Sequence, residues 1–330
     1  MSLALTAEDL KFIAGNFVFL SGYFLPLSIP TGLYLAWCGW IPWYVGAIVF
    51  ILVTIDTIVP LPKAPYFNHT YCKYTGFEKG MQSYCNGELR LSAEFDKDKN
   101  YLIGLHPHGL WTMCYHLLWP QLIVRFGICP MFIGADVLLK IPLLKRHFRA
   151  YGMIGASKED ILWALEQPYP HNVVTMCPGG IAEMFYGITR EQIILKKRKG
   201  FVKLALQKGA CLVPAYGFGT NQQFRRLFEA GGFMAKLSSA LKISAVPWLD
   251  RFYIPFGPIP TTHKIVMALG TPIPVQKVEN PSPQQVDELH AKFCNGMREL
   301  FDKHKADMGW QDKQLYLEDE GMKPQSKKDQ

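Results

Sequence analysis

Between Lys11 and Asp56 the chain contains no lysine, arginine, aspartate or glutamate. An uncharged stretch of that length exceeds the roughly 20 residues that one helix needs to cross a hydrocarbon core. It fits two spans joined by a tight turn, expected over Phe12–Ala36 and Trp43–Val59. The turn falls near "WCGWIPW", whose tryptophans suit a membrane interface. Pro26 and Pro30 interrupt the regularity of the first span. The preceding "MSLALTAEDLK" lacks a positive n-region, and the apolar run continues far beyond an h-region, which argues against a secretory signal peptide. The eight cysteines include no C-x-x-C pair. Cys72 and Cys85, with His69 nearby, match no common zinc spacing. Scattered thiols in a cytosolic domain stay reduced. No internal repeat is present.

What charge there is lies almost wholly beyond the hairpin. Lysine and arginine total 35 against 27 acids, a formal +8 whose positive excess comes from the region after Pro62. Hydrophobic residues make up 49% and mean hydropathy is +0.05, high for a purely soluble protein. Basic residues flank the hairpin on its C-terminal side, so the large domain is expected in the cytosol, and with two spans the N-terminus as well. Lys327 and Lys328 stand fourth and third from the end, the arrangement of a dilysine retrieval signal on a protein of the endoplasmic reticulum. The sequon Asn68-His69-Thr70 follows the second span on the cytosolic side and is expected to carry no glycan. The expected organisation is a cytosolic segment 1–11, a membrane hairpin 12–60, a catalytic domain 61–312 and a loose polar tail 313–330.

After a linker, "LPKAPYFNHT", short apolar runs alternate with amphipathic segments. "YLIGL", "MFIGA", "NVVTMC", "ACLVPAYGFG" and "KIVMALG" read as strands. Helices are expected over Trp111–Val124, within "DVLLKIPLLKRHF", after Ser157 with Asp160 completing a capping pattern, over "GFVKLALQKG" closed by Gly209, and from Pro283 to Lys305. Such alternation predicts an α/β fold, a mostly parallel sheet flanked by helices.

Candidate chemistry gathers at the strand ends, where open α/β sheets hold their ligands. His106-Pro107-His108-Gly109 leaves the first strand. As a metal site H-x-H supplies two ligands, with no third at a recognised spacing. As turn residues the histidines need no partner. As catalytic groups, one imidazole is a general base titrating near neutrality, and the glycine admits close approach to a reacting carbonyl. "CPGGIAEMF" is a second junction, with paired glycines and the carboxylate Glu183; "KKRKGFVKLAL" sets a basic cluster before a helix; "VPAYGFGTNQQF" is a third junction.

Taken in order, these segments resemble the diacylglycerol O-acyltransferase type 2 family, which includes monoacylglycerol and wax-alcohol acyltransferases. The resemblance spans the hairpin, His106-Pro107-His108-Gly109, Pro178-Gly179-Gly180 with Glu183, Arg198-Lys199-Gly200-Phe201, "VPAYGFG", "LGTPIPV" and "FDKHK". It implies a glycerolipid-acyltransferase-like domain that moves a fatty acyl group from acyl-CoA to a lipid hydroxyl, with acyl-CoA as substrate and neither metal nor bound cofactor. His106, His108 and Glu183 are the implied catalytic residues. Pro107, Gly109, Pro178, Gly179, Gly180, Arg198, Lys199, Gly200, Phe201, Gly217, Phe218, Gly219 and Asn221 are the implied substrate-binding residues. Lys140, Lys145 and Arg146 are further candidates for CoA phosphates or anionic head groups. Cys177 as an acyl-enzyme nucleophile is set against a buried structural thiol. Diacylglycerol is the leading acceptor, with monoacylglycerol, wax alcohol or sterol as alternatives. The other partner is membrane lipid at the endoplasmic reticulum or the lipid-droplet surface. No nucleic acid is expected, and self-association stays open. A non-catalytic membrane binder and a metal-dependent membrane hydrolase are the rival classes. The chain departs from the family pattern at Thr220, where an acid is common, and at Asn68, which follows Tyr66-Phe67 in place of proline. No aspartate stands five positions after either histidine, since Trp111 and Met113 occupy those places. The carboxylate that serves the histidines therefore has to come from elsewhere, and Glu183 is the candidate.

Overall fold

In the computed structural model the described residues are 29–63, 83–92, 94–142, 144–187, 190–227 and 246–318. The N-terminal segment 1–11, most of the first expected span, the sequon at Asn68, Cys72 and the terminal lysines lie outside them.

The fold is built around a seven-stranded sheet. Its members are β1 (Glu88–Leu91), β2 (Tyr101–His106), β3 (Met131–Ile133), β4 (Met153–Ile154), β5 (Val173–Met176), β7 (Cys211–Phe218) and β10 (Val266–Leu269), in the order β1-β10-β7-β2-β5-β3-β4. All pairings are parallel except β10 against β7. The central strands are continuous apolar runs because both faces are covered. Every residue of β2 and of β7 is buried. Side chains alternate between the faces. Ile103 and Leu105 meet Leu117, Leu118 and Leu122 of α2 (Tyr115–Phe126) on one side. Leu102 joins Val202 and Phe201 of α5 (Gly200–Lys208) and Phe293 and Phe301 of α6 (Pro283–His304) on the other. Helix α4 (Lys158–Ala164) is capped by the Ser157 hydroxyl, which accepts the Asp160 N–H; α5 is closed by Gly209, and α6 opens with a capping box between Ser282 and Gln285.

The mostly parallel sheet and its helices match the expectation in class, with three local differences. The helix expected from Trp111 starts at Tyr115, because residues 110–114 turn so that Leu110 and Trp111 enter a separate apolar cluster. "DVLLKIPLLKRHF" is broken at Pro142 into a 3-10 turn over Asp136–Leu139 and α3 (Leu144–Ala150). The segment 313–318, expected in the loose tail, belongs to the domain. Its strand β11 (Tyr316–Leu317) pairs with β6 (Gln192–Ile193), and Leu317 is buried in the α5/α6 core. Glu318 also accepts the Lys197 backbone N–H.

At the N-terminal end, residues 29–37 are helical and α1 covers Trp43–Ile58. The two pack closely, since a Cβ placed on Gly46 would stand 2.7 Å from Ala36 Cβ. No helix among the described residues is long and apolar enough to cross a membrane. Helix α1 has 16 residues, rising about 24 Å, and the hydrocarbon core is about 30 Å thick. Its apolar side chains are nonetheless uncovered: Trp43, Ile48, Phe50, Ile51, Leu52, Ile55 and Ile58 are exposed. Asp56, buried near the end of α1, takes Arg146 and Lys145 as partners, the latter at 3.6 Å. Two of the cations put forward for phosphates, Lys145 and Arg146, are thus engaged in fastening α1 to α3. Leaving either side of such a buried pair alone strands a charge away from water.

Candidate functional site

The site forms where β2 and β5 end side by side. His106 is the last residue of β2 and, by alternation, points to the α5/α6 face, with no solvent exposure. A cis peptide joins it to Pro107, and His108 then emerges, half-buried, beyond the C-terminal end of this central strand. Gly109 follows at φ +62°, the left-handed region that only glycine enters freely. A Cβ there would also stand 2.5 Å from Thr220 Cγ2, so the chain turns directly beneath Thr220.

Strand β5 leads through Cys177-Pro178-Gly179-Gly180 into a 3-10 turn, Gly180–Phe185, that carries Glu183. Glu183 is fully buried, and its carboxylate is satisfied by three donors. Oε1 accepts His106 Nδ1–H and the Ile194 N–H, both at 2.8 Å, and Oε2 accepts the His108 backbone N–H at 2.8 Å. A buried carboxylate persists only with such compensation. Gly179 leaves room for it, since a Cβ at that residue would lie 2.5 Å from Glu183 Cδ.

Glu183 therefore grips His106 by its ring and His108 by its main chain. The His108 ring is oriented differently. Its Nδ1 lies 2.9 Å from Gly109 O. A carbonyl can only accept, so Nδ1 carries the proton and Nε2 is the basic nitrogen. Burial pushes the His108 imidazole below its ordinary value, partly offset by the Gly109 carbonyl and Glu183. The ring is accordingly neutral near pH 7. His106 Nε2 finds no hydrogen-bond partner among the described residues, and its ring is enclosed. The two histidines, equivalent in the sequence, are thus separated by the fold into one that faces outward and one that anchors Glu183.

Cys177 does not fit a nucleophile's environment. Burial foremost, then Cys114 and Glu183, push its thiol well above the ordinary range, while attack requires thiolate. Among the described residues, no three His, Cys, Asp or Glu side chains converge as a metal site would require. Backbone donors also sort themselves. The Gly180 N–H is spent on Cys177 O at 3.0 Å, so this glycine helps to shape the turn around Glu183.

The remaining residues singled out from the sequence divide into three groups. Arg198, Lys199 and Gly200 lie exposed at the start of α5 beside the site, with Arg198 Nη2 3.5 Å from Gly179 O and Lys199 paired to Asp287 at 2.7 Å. Phe201 and Phe218, expected to line the substrate site, are core residues: Phe201 packs edge-on to Phe293, and Phe218 stacks on Phe301. Gly217 and Gly219 flank the end of β7 and bring Thr220 over Gly109. Asn221 lines a polar cavity of about 370 Å³ with Phe224, Arg225, Arg226, His263 and Lys313. Sequence reasoning missed Ile194, whose contribution is a backbone N–H and leaves no side-chain signal. It also missed Tyr216, in register with His106 and bonded through its hydroxyl to Glu191 at 2.9 Å.

The comparisons with known proteins point to one family. The family model "Diacylglycerol acyltransferase" matches residues 40–318. Human acyl-CoA wax alcohol acyltransferase 1 is 31% identical over 79% of this chain and 88% of its own length. Human 2-acylglycerol O-acyltransferase 3 is 28% identical over 81% and 82%, and zebrafish diacylglycerol O-acyltransferase 2 is 31% identical over 70% and 68%. The crystal structure of a 1-acyl-sn-glycerophosphate acyltransferase from Thermotoga maritima is 15% identical, covers 84% of this chain and 95% of that one, and aligns at a TM-score of 0.43, too loose a likeness to carry weight. With the family model matching most of its length, this chain belongs to the diacylglycerol acyltransferase family.

Proposed function

We propose that the protein transfers a fatty acyl group from acyl-CoA to the free hydroxyl of diacylglycerol, forming triacylglycerol, with His108 as general base. The observation that carries the reading is the His108 ring at the turn after β2, with Nδ1 2.9 Å from Gly109 O so that Nε2 is the basic nitrogen. In the reaction His108 Nε2 takes the acceptor hydroxyl proton as the oxygen attacks the thioester carbonyl. The tetrahedral oxyanion is stabilised by backbone N–H at the Gly109 turn, where one donor is typically worth about 3 kcal/mol. The C–S bond then breaks and the CoA thiolate, a good leaving group, recovers the proton from His108. Arg198 and Lys199 at the start of α5 offer charge for CoA phosphates. No step calls for a metal or a bound cofactor.

Relatives named for monoacylglycerol and wax-alcohol acceptors are as similar as those named for diacylglycerol. An acceptor panel with labelled acyl-CoA on purified membranes tests the assignment. Diacylglycerol should give the highest kcat/KM, and a clear preference for a wax alcohol or monoacylglycerol would reassign the acceptor. Absence of transfer to any acceptor would leave the membrane-binder reading.

Two further expectations follow from this reading. Activity requires neutral His108, whose imidazole burial holds below its ordinary value. The rate with acyl-CoA should therefore stay level through neutrality and fall only as pH drops through a value below 6.5. A pH profile of kcat/KM at saturating acceptor checks this, and an acid limb above 6.5 would point to another base. We also propose that the apolar hairpin seats the protein in the endoplasmic-reticulum membrane with both termini and the site cytosolic. Asn68 should then remain unglycosylated. An endoglycosidase-sensitive mass shift that disappears in Asn68→Gln would reverse the topology.

A further inference from the structure

Leu110 and Trp111, just past the His108 turn, and Met184 and Phe185, just past Glu183, belong to a small apolar cluster separate from the two main cores. From this cluster a line of aromatic rings leads away from the site. Trp111 lies 5.0 Å from Phe224, Phe224 lies 6.4 Å from Trp248, and Trp248 lies 4.9 Å from Phe256, centroid to centroid. The rings are carried by the short antiparallel pair β8 (Arg225–Arg226) and β9 (Trp248–Leu249) and by the loop that follows it.

That loop ends in solvent. Tyr253, Ile254 and Phe256, with Leu227 on β8's trailing edge, are each 53–54% exposed. The exposure is built into the backbone. Tyr253 and Phe256 occupy the left-handed region at φ +64° and +56°, which bulky side chains rarely adopt. Asp250, fully buried, holds the turn by accepting the Phe252 and Ile254 N–H groups at 2.8 and 2.9 Å. Phe256 N–H is bonded to Trp248 O, and Gly257 N–H to Ile254 O. A loop entering hydrocarbon must satisfy its backbone internally, and this one does so at those positions. Arg225 lies over the Tyr253 ring at 4.3 Å and Arg251 over Phe252 at 5.6 Å. Cations behind an aromatic tip match the layering of anionic head groups above acyl chains.

We propose that the loop 251–257 is a second bilayer contact, dipping Tyr253, Ile254 and Phe256 into lipid, and that the acceptor leaves the bilayer beside this loop on its way to His108. The occupant is a lipid surface: the apolar tip is narrow, its backbone is self-satisfied, and its base is basic. The contact itself stands on the loop's geometry, and only the route for the acceptor rests on the acyl-transfer reading.

The test uses the full chain reconstituted in phospholipid nanodiscs. The photo-crosslinker p-benzoylphenylalanine, a close mimic of phenylalanine, replaces Phe256 in one sample and Gln284 in another. Gln284 is an exposed residue at the far end of α6 from the Phe301–Phe218 contact. After illumination, position 256 should gain the mass of one phospholipid and position 284 should not. In parallel, the double variant Ile254→Ser, Phe256→Ser should raise KM for a bilayer-borne acceptor by about tenfold, the loss of roughly one apolar side chain's burial. Its kcat with a short-chain, water-dispersed acceptor should be unchanged. No lipid adduct at position 256, or an adduct to a second protein chain there, overturns the proposal. A lipid adduct at 256 without acyl transfer to any acceptor supports the contact and overturns the acyl-transfer reading.

Discussion

Replacing His108 with alanine should lower kcat by about a hundredfold to ten-thousandfold, the usual range for a positioned general base. Abundance and membrane retention should be unchanged, since the ring's hydrogen bond is to the adjoining Gly109 carbonyl. His106→Ala should be nearly as inactive, for a different reason. It empties a fully buried site and removes a donor from Glu183, so it should also lower the unfolding midpoint, which His108→Ala should leave alone. The pair is measured by initial rates with labelled acyl-CoA beside thermal unfolding of the detergent-solubilised protein. Near-normal turnover in both variants would remove this turn from the mechanism.

The second large effect concerns Glu183. A carboxylate there acts either by positioning the histidines or by binding the acceptor. The structure favours positioning, because the group is fully buried and its oxygens are taken by His106, Ile194 and His108. Glutamine is nearly isosteric, yet its NH₂ must face a donor whichever way it is placed. Toward Oε1 it meets His106 Nδ1–H and Ile194 N–H, and toward Oε2 it meets His108 N–H. One buried donor clash costs about 1–3 kcal/mol. Glu183→Gln should therefore depress kcat for every acceptor by the same factor, leave acceptor KM nearly constant, and lower stability. A loss that falls on KM and varies with acceptor would instead make Glu183 an acceptor-binding residue. Gly179→Ala is a useful companion, since its Cβ would press on the same carboxylate and should reproduce the pattern with Glu183 chemically intact.

Much of this protein was legible in the chain alone. The long strands, helices α5 and α6 and the class of the sheet follow from local signals: apolar runs bounded by glycine or proline, an amphipathic run opening at Pro283, Gly209 after Lys208. His106, His108 and Glu183 could be named as candidates because strand-end turns are where an open α/β sheet places its chemistry. Family membership rested on the same motifs in the same order.

What only the tertiary structure decided are relations between distant residues. His106 and His108 are two positions apart, and nothing local distinguishes them; the end of β2 buries the first, and the turn that follows carries the second clear of the strand. Phe201 and Phe218 sit inside motifs but face α6, and a motif does not record which way a ring points. Lys145 and Arg146 look like free surface cations until Asp56, some 90 residues earlier in the chain, is brought against them. Strands β6 and β11 are too short to announce themselves and exist because each supplies the other's hydrogen bonds, which carries the domain to Glu318. Secondary structure and motif chemistry are short-range properties of a chain, written in neighbouring side chains. Burial, pairing and which nitrogen of an imidazole keeps its proton are set by whatever the fold delivers from elsewhere.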